Sequence, residues 1–84
     1  MKLDEQIKKS FPKIEKLMSE EQLVEFKSTA PRNLKKYDFG LGTMIRLKLL
    51  RTKSGLYRSF IQNGFTDRDA MTQMVIKEFY NRMQ

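Results

Sequence analysis

Apolar residues recur along this chain at steps of three and four, the spacing of a helical face rather than a strand. Leu3, Ile7, Phe11, Ile14 and Leu17 form the first such run. Pro12 interrupts it, which predicts a bent helix or two pieces, with Ser10 or Phe11 near the second start. Ser19-Glu20-Glu21-Gln22 reads as a capping box, with Leu23, Phe26 and Val24 supplying the face behind it. Ser28 to Pro31 is a break, and Pro31 at a first helical position predicts a short helix through Lys36. Leu41, Ile45 and Leu49, with Met44 beside them, mark another helix. Gly40 and Gly42 fit that helix at its start or where another backbone packs closely.

Thr52-Lys53-Ser54-Gly55 is a turn. Leu56, Tyr57, Phe60 and Ile61 follow as pairs on a short helix, closed by Asn63-Gly64 with Phe65 just past the cap. Thr66-Asp67-Arg68-Asp69 reads as a second capping box. The last helix aligns Met71, Met74, Val75, Phe79 and Met83. The pattern predicts a single all-α domain over 1–84, of five to six short helices, with 1–10 a loosely packed or kinked N-terminal helix. The expected core is Leu17, Leu23, Phe26, Leu41, Ile45, Leu49, Phe60, Val75 and Phe79. Leu47 and Leu50 lie off the main stripe, so they either pack inside or form a homodimer seam.

Charge changes this picture. The net charge is +7, and all of the excess lies between Arg32 and Arg58, where eight basic residues face a single acid, Asp38. The flanks on both sides are balanced. A basic segment between neutral flanks predicts a surface that meets something acidic. Lys48, Arg51, Lys53 and Arg58 cluster around the turn with Tyr57 interleaved, and Lys35 and Lys36 extend the patch if the fold brings the helices together.

The chemistry the chain lacks is as informative. Neither cysteine nor histidine occurs, so there is no disulfide framework, no thiolate metal site and no histidine base. Ser10, Ser19, Ser54 and Ser59 therefore have no triad partner. Asp67, Asp69 and Glu78 read as partners of a helix dipole rather than an acid–base pair or cation site. Phe39-Gly40-Leu41-Gly42 lacks the further residues of a phosphate-binding loop or a dinucleotide fingerprint. No metal and no cofactor is expected. No apolar run reaches the length of a signal peptide or a membrane span, so the expectation is a soluble, cytoplasmic protein without membrane contact. Arg46 follows the apolar Ile45 and reads as an internal anchor, with Asp38 as its candidate partner. The methionines Met71, Met74 and Met83 read as core filler.

From about Phe11 onward the chain resembles a family of small bacterial domains of unknown function. The resemblance rests chiefly on Tyr37-Asp38-Phe39-Gly40-Leu41-Gly42-Thr43-Met44-Ile45-Arg46, whose structural core string is Phe39, Gly40, Leu41, Gly42, Ile45 and Arg46. Leu17 to Gln22, Asn63-Gly64-Phe65, Thr66 to Met71 and Ile76 to Met83 add to it. It implies a compact all-helical domain and no activity. The chain departs from the pattern at Leu47-Lys48-Leu49-Leu50-Arg51, at Thr66-Asp67-Arg68-Asp69 and in its basic charge.

Together these readings predict a non-catalytic binding protein, not an enzyme. Its basic 32–58 surface would engage an acidic partner protein, in the manner of an inhibitor, an immunity protein or a phage antagonist. The alternative is nucleic-acid binding, with a basic helix–turn–helix around Arg46 to Arg58 presenting Lys48, Arg51, Lys53 and Arg58 to phosphates.

Overall fold

Local capping chemistry sets the starts of three of the helices and the end of one. A computed structural model describes residues 2–84. Among them are five α-helices, α1 (Leu3–Lys16), α2 (Glu20–Ser28), α3 (Gly40–Lys48), α4 (Gly55–Gln62) and α5 (Arg68–Met83), and a 3-10 helix (Pro31–Asp38), with no strand. The Ser19 box forms as expected: the Gln22 amide donates to Ser19 Oγ at 3.2 Å and the Ser19 amide to Gln22 Oε1 at 2.9 Å. Ser54 caps α4 by accepting from the Tyr57 amide. At the other end of α4, Gly64 takes a φ of +89°, Phe65 N–H donates to Phe60 O, and Gly64 N–H donates to Ile61 O. That pair of bonds is a Schellman cap, sealed by the Phe60 and Phe65 rings at 4.9 Å.

Three local expectations change. Pro12 does not split the first helix, since α1 runs through it as one element. Pro12 lies on the exposed side, as does Lys8, whose carbonyl loses its partner, so that group faces water. The second capping box does not form. Asp67 rather than Thr66 is the cap, accepting from the Asp69 amide at 3.0 Å. The segment from Pro31 is a 3-10 helix of eight residues and extends to Asp38, longer than such helices usually run. With three residues per turn, Pro31, Leu34 and Tyr37 fall on one line. Leu34 and Tyr37 pack on the core while Arg32, Lys35 and Lys36 stay outside.

The core is one cluster drawn from every α-helix. It is larger at its N-terminal side than expected. Ile7, Phe11 and Ile14 are buried, and α1 packs on α4 and α5. Leu23 sits only at its edge, half-buried, and Leu17, half-buried too, does not join it. Met71 is fully enclosed, and Met74 and Met83 pack against the cluster. Phe26 is the aromatic hub, with ring centroids at 4.8 Å from Tyr37, 5.4 Å from Phe79 and 5.7 Å from Tyr80.

Beside that hub, Thr29 ties three elements together. Its hydroxyl donates to Glu25 O at 2.8 Å and lies 3.1 Å from Tyr37 Oη, and its carbonyl accepts from Tyr80 Oη at 2.6 Å. Tyr80→Phe removes that last donor and strands a buried carbonyl. It is expected to lower stability by about 1–3 kcal/mol in urea unfolding, whereas an unchanged midpoint would show the carbonyl to be satisfied otherwise.

The opposite sign is expected at Ser59. Its Oγ is fully buried within α4 and makes no hydrogen bond among the described residues. Ser59→Ala removes an unsatisfied group and adds a better helix former, so stability should rise by about 1 kcal/mol. For a domain of this size that is a gain of roughly 4–8 °C in melting temperature.

Candidate interaction surface

The basic stretch does not fold into one patch. Lys36 Nζ pairs with Glu25 at 3.3 Å and lies over the Tyr37 ring. Lys35 lines a groove between the 3-10 helix and α5, together with Lys77. Lys48 turns towards α1 and shares a groove with Lys9 and Lys13. Arg58 is exposed on α4, and Tyr57 beside it is half-buried. Only Arg51 and Lys53 of the expected cluster line a common groove, at the C-terminal end of α3.

Two arginines join them there. Arg46, from the core string, forms one wall, and Arg68, the first residue of α5, forms the other. Arg68 was invisible to charge counting because its own flank is neutral. Each guanidinium is held by oxygen acceptors at element ends. Arg68 Nε donates to Leu50 O and its Nη2 to Thr52 Oγ1, both at 3.3 Å, and the guanidinium stacks 4.7 Å from the Tyr57 ring centroid. Arg51 Nε donates to Leu47 O at 3.1 Å. These bonds fix the planes and leave terminal N–H groups for other acceptors. Among the described residues the only ion pairs are Lys36–Glu25 and Arg46–Asp69, so Arg51, Lys53 and Arg68 face no carboxylate of this chain.

Arg46 is the internal anchor expected, with a different partner. Its Nη2 donates to the main-chain carbonyl of Asp38 at 2.9 Å and to Thr43 Oγ1 at 3.3 Å. The carboxylate it meets is that of Asp69 on α5, at 3.6 Å. That pair is exposed on the Asp69 side and is worth little by itself. Arg46 thus links the end of the 3-10 helix, α3 and α5.

The rest of the core string divides. Leu41 and Ile45 are buried. Gly42 is where another backbone approaches: a Cβ there would lie 3.1 Å from Tyr37 O and 3.3 Å from Thr72 Cγ2. Phe39, by contrast, is 81% exposed and belongs to no core. The pair Leu47 and Leu50 splits as well. Leu47 is 62% exposed, and Leu50 is 1% exposed. The chain leaves the helix at Leu49, and Leu50 N–H folds back to Ile45 O, which swings its side chain inward. Leu50 is therefore unavailable to a dimer seam.

The three carboxylates singled out in the sequence do not come together. Asp67 and Asp69 open α5, whereas Glu78 lines a groove with Asp4, Lys8 and Arg82 against α1. No group of three or more potential metal ligands occurs among the described residues. Nor is any helix among them long and apolar enough to cross a membrane. The helices on either side of the basic turn are not a packed pair either, since α4 packs chiefly on α1 and α3 on α5 and the 3-10 helix.

No curated protein and no solved structure matches this chain. The model of one family, described as Domain of unknown function (DUF6794), matches residues 5–83 of the 84, and the chain belongs to that family.

Proposed function

We propose that this protein is a non-catalytic binding module that engages an acidic surface of another protein through the face at the C-terminal end of α3. The observation that carries this reading is the groove of Arg46, Arg51, Lys53 and Arg68 around the exposed Leu47. Arg51, Lys53 and Arg68, which pair with no carboxylate of this chain, attract an acidic partner and speed its encounter. An exposed leucine amid them favours a protein over a phosphate backbone, which offers leucine nothing to cover. The separate packing of α3 and α4 also weighs against the helix–turn–helix alternative. A reducing compartment such as the cytoplasm suits a chain without cysteine.

Two measurements test the reading together. Labelled duplex and single-stranded DNA and RNA are titrated with the protein from about 50 to 200 mM salt, the range in which phosphate contacts weaken steeply. No saturable binding is expected at the low end. In parallel, the immobilised protein should retain a discrete acidic protein that an Arg51→Glu/Arg68→Glu variant does not. Nucleic-acid binding that falls steeply with salt and disappears in that variant would overturn the protein reading in favour of phosphate recognition.

A further inference from the structure

One face of α3 carries features that the chain itself does not use. Phe39, the N-cap residue just before α3, and Leu47 within it are the most exposed large apolar residues there, and they stand eight positions apart with Thr43 midway. Spacing of four keeps all three on one side of the helix. Between the two large side chains lie Gly40 and Thr43, both exposed, with the Arg46 guanidinium bonded to Thr43 Oγ1 beside them. Gly40 opens α3, away from the helix interior where glycine is costly, and no contact within the chain requires it: nothing lies within 4 Å of a Cβ built there, and its φ is not positive. A missing side chain with no internal neighbour leaves room for a neighbour from outside.

The dimensions and the charge say which neighbour. Eight residues of helix rise about 12 Å, the width of one α-helix with its side chains. Phe39 and Leu47 therefore stand about one helix width apart along the axis, with the smaller Gly40 and Thr43 between them, and bound a saddle for one helix. At the Leu47 end the saddle opens into the groove of Arg51, Lys53 and Arg68. No strand edge exists among the described residues to receive an extended peptide by pairing. A second copy of this chain would bring another net charge of +7 to the same cations.

We infer that the Phe39–Leu47 face of α3 is the docking site for an acidic amphipathic helix of the partner protein. The apolar stripe of that helix crosses between Phe39 and Leu47, its backbone approaches Gly40, and its carboxylates meet Arg51, Lys53 and Arg68. This rests on the protein-binding reading above and adds to it the partner's secondary structure and the contact residues.

The test is photocrosslinking in the producing cells, with benzoylphenylalanine placed singly at positions 39, 47, 53 and 24. Val24 is equally exposed but lies on α2, away from this face. Adducts to one protein are expected from 39 and 47 and not from 24, and Arg51→Glu should abolish them. The crosslinked segment should be an acidic, amphipathic helix. A synthetic peptide of that segment should bind the full chain, at least tenfold more weakly after Phe39→Ala or Gly40→Leu. Gly40→Leu should leave the melting temperature within a few degrees, which separates lost docking from lost folding.

Protein adducts from 53 but not from 39 or 47 would overturn this inference and leave the basic-groove reading standing. A crosslinked segment that is basic, or extended rather than helical, would overturn it too. Adducts only to nucleic acid, only to a second copy, equally from position 24, or from none of the four positions would overturn both.

Discussion

Phe26→Ala should leave the chain close to its unfolding threshold, losing about 3–5 kcal/mol of stability. A domain of this length has roughly 4–13 kcal/mol in total. The size of the loss follows from what the ring touches. Phe26 is wholly enclosed, and it meets Tyr37 and Tyr80 edge-on and Phe79 at a tilt. Truncation removes the buried area of the ring and three aromatic contacts, and opens a cavity where α2, the 3-10 helix and α5 converge. Neighbours can close it poorly, because Tyr37 and Tyr80 are also held by their hydroxyls at Thr29. Denaturant unfolding followed by circular dichroism measures the change. A loss under about 1 kcal/mol would mean that the hub collapses freely and that packing here is loose. Leu47→Ala serves as the control and should stay within about 0.5 kcal/mol, since that side chain stands in solvent.

The second large effect is expected at Gly42, where valine should destabilise by about 1–3 kcal/mol. Helix propensity alone predicts the reverse, because valine is a better helix former than glycine, by less than about 1 kcal/mol. Packing decides the sign. The first carbon of a side chain would already press on the Tyr37 carbonyl at 3.1 Å and Thr72 Cγ2 at 3.3 Å. Neither yields readily, since Thr72 is fully buried with its hydroxyl bonded to Arg68 O, and the Tyr37 carbonyl is main chain. The branched carbons of valine make the clash worse. Thermal unfolding should show a drop of several degrees for each kcal/mol. The neighbouring glycine gives the contrast: Gly40→Ala, two residues away, meets nothing and should not lower the melting temperature. Equal losses at both positions would show that the effect is a general one of the first helical turn and not of the contact with Tyr37.

These two sites also mark how far reading along the chain reaches. The buried faces of α3 and α5, the Ser19 box and the glycine stop at Gly64 all depend on neighbours within about five positions. Periodicity and capping chemistry therefore made them legible. Gly42 was legible as a place of close packing, and Arg46 as an anchor, because both types sit awkwardly in an apolar stripe unless something meets them. What met them was not legible. Asp38 lies near Arg46 in sequence, yet it offers its carbonyl, while the carboxylate comes from Asp69 on another helix.

The interaction face was the least legible part, for a physical reason. A count of charges sums over sequence, whereas a surface sums over whatever packing places side by side. The basic run separates because α3 ends at Lys48, sending Lys48 towards α1 and Arg51 and Lys53 the other way. Arg68 arrives from a neutral segment because α5 packs on α3. Leu47 and Leu50 are equally apolar, and one hydrogen bond at the helix end puts the second inside and leaves the first out. An all-helical chain, the places where many of its helices start and stop, and a strong positive charge without histidine or cysteine could all be read from residue order, because each is local or additive. Which cations share a groove and which apolar residues stay in water emerged only on folding, because burial is settled by the contest of all the helices for one core.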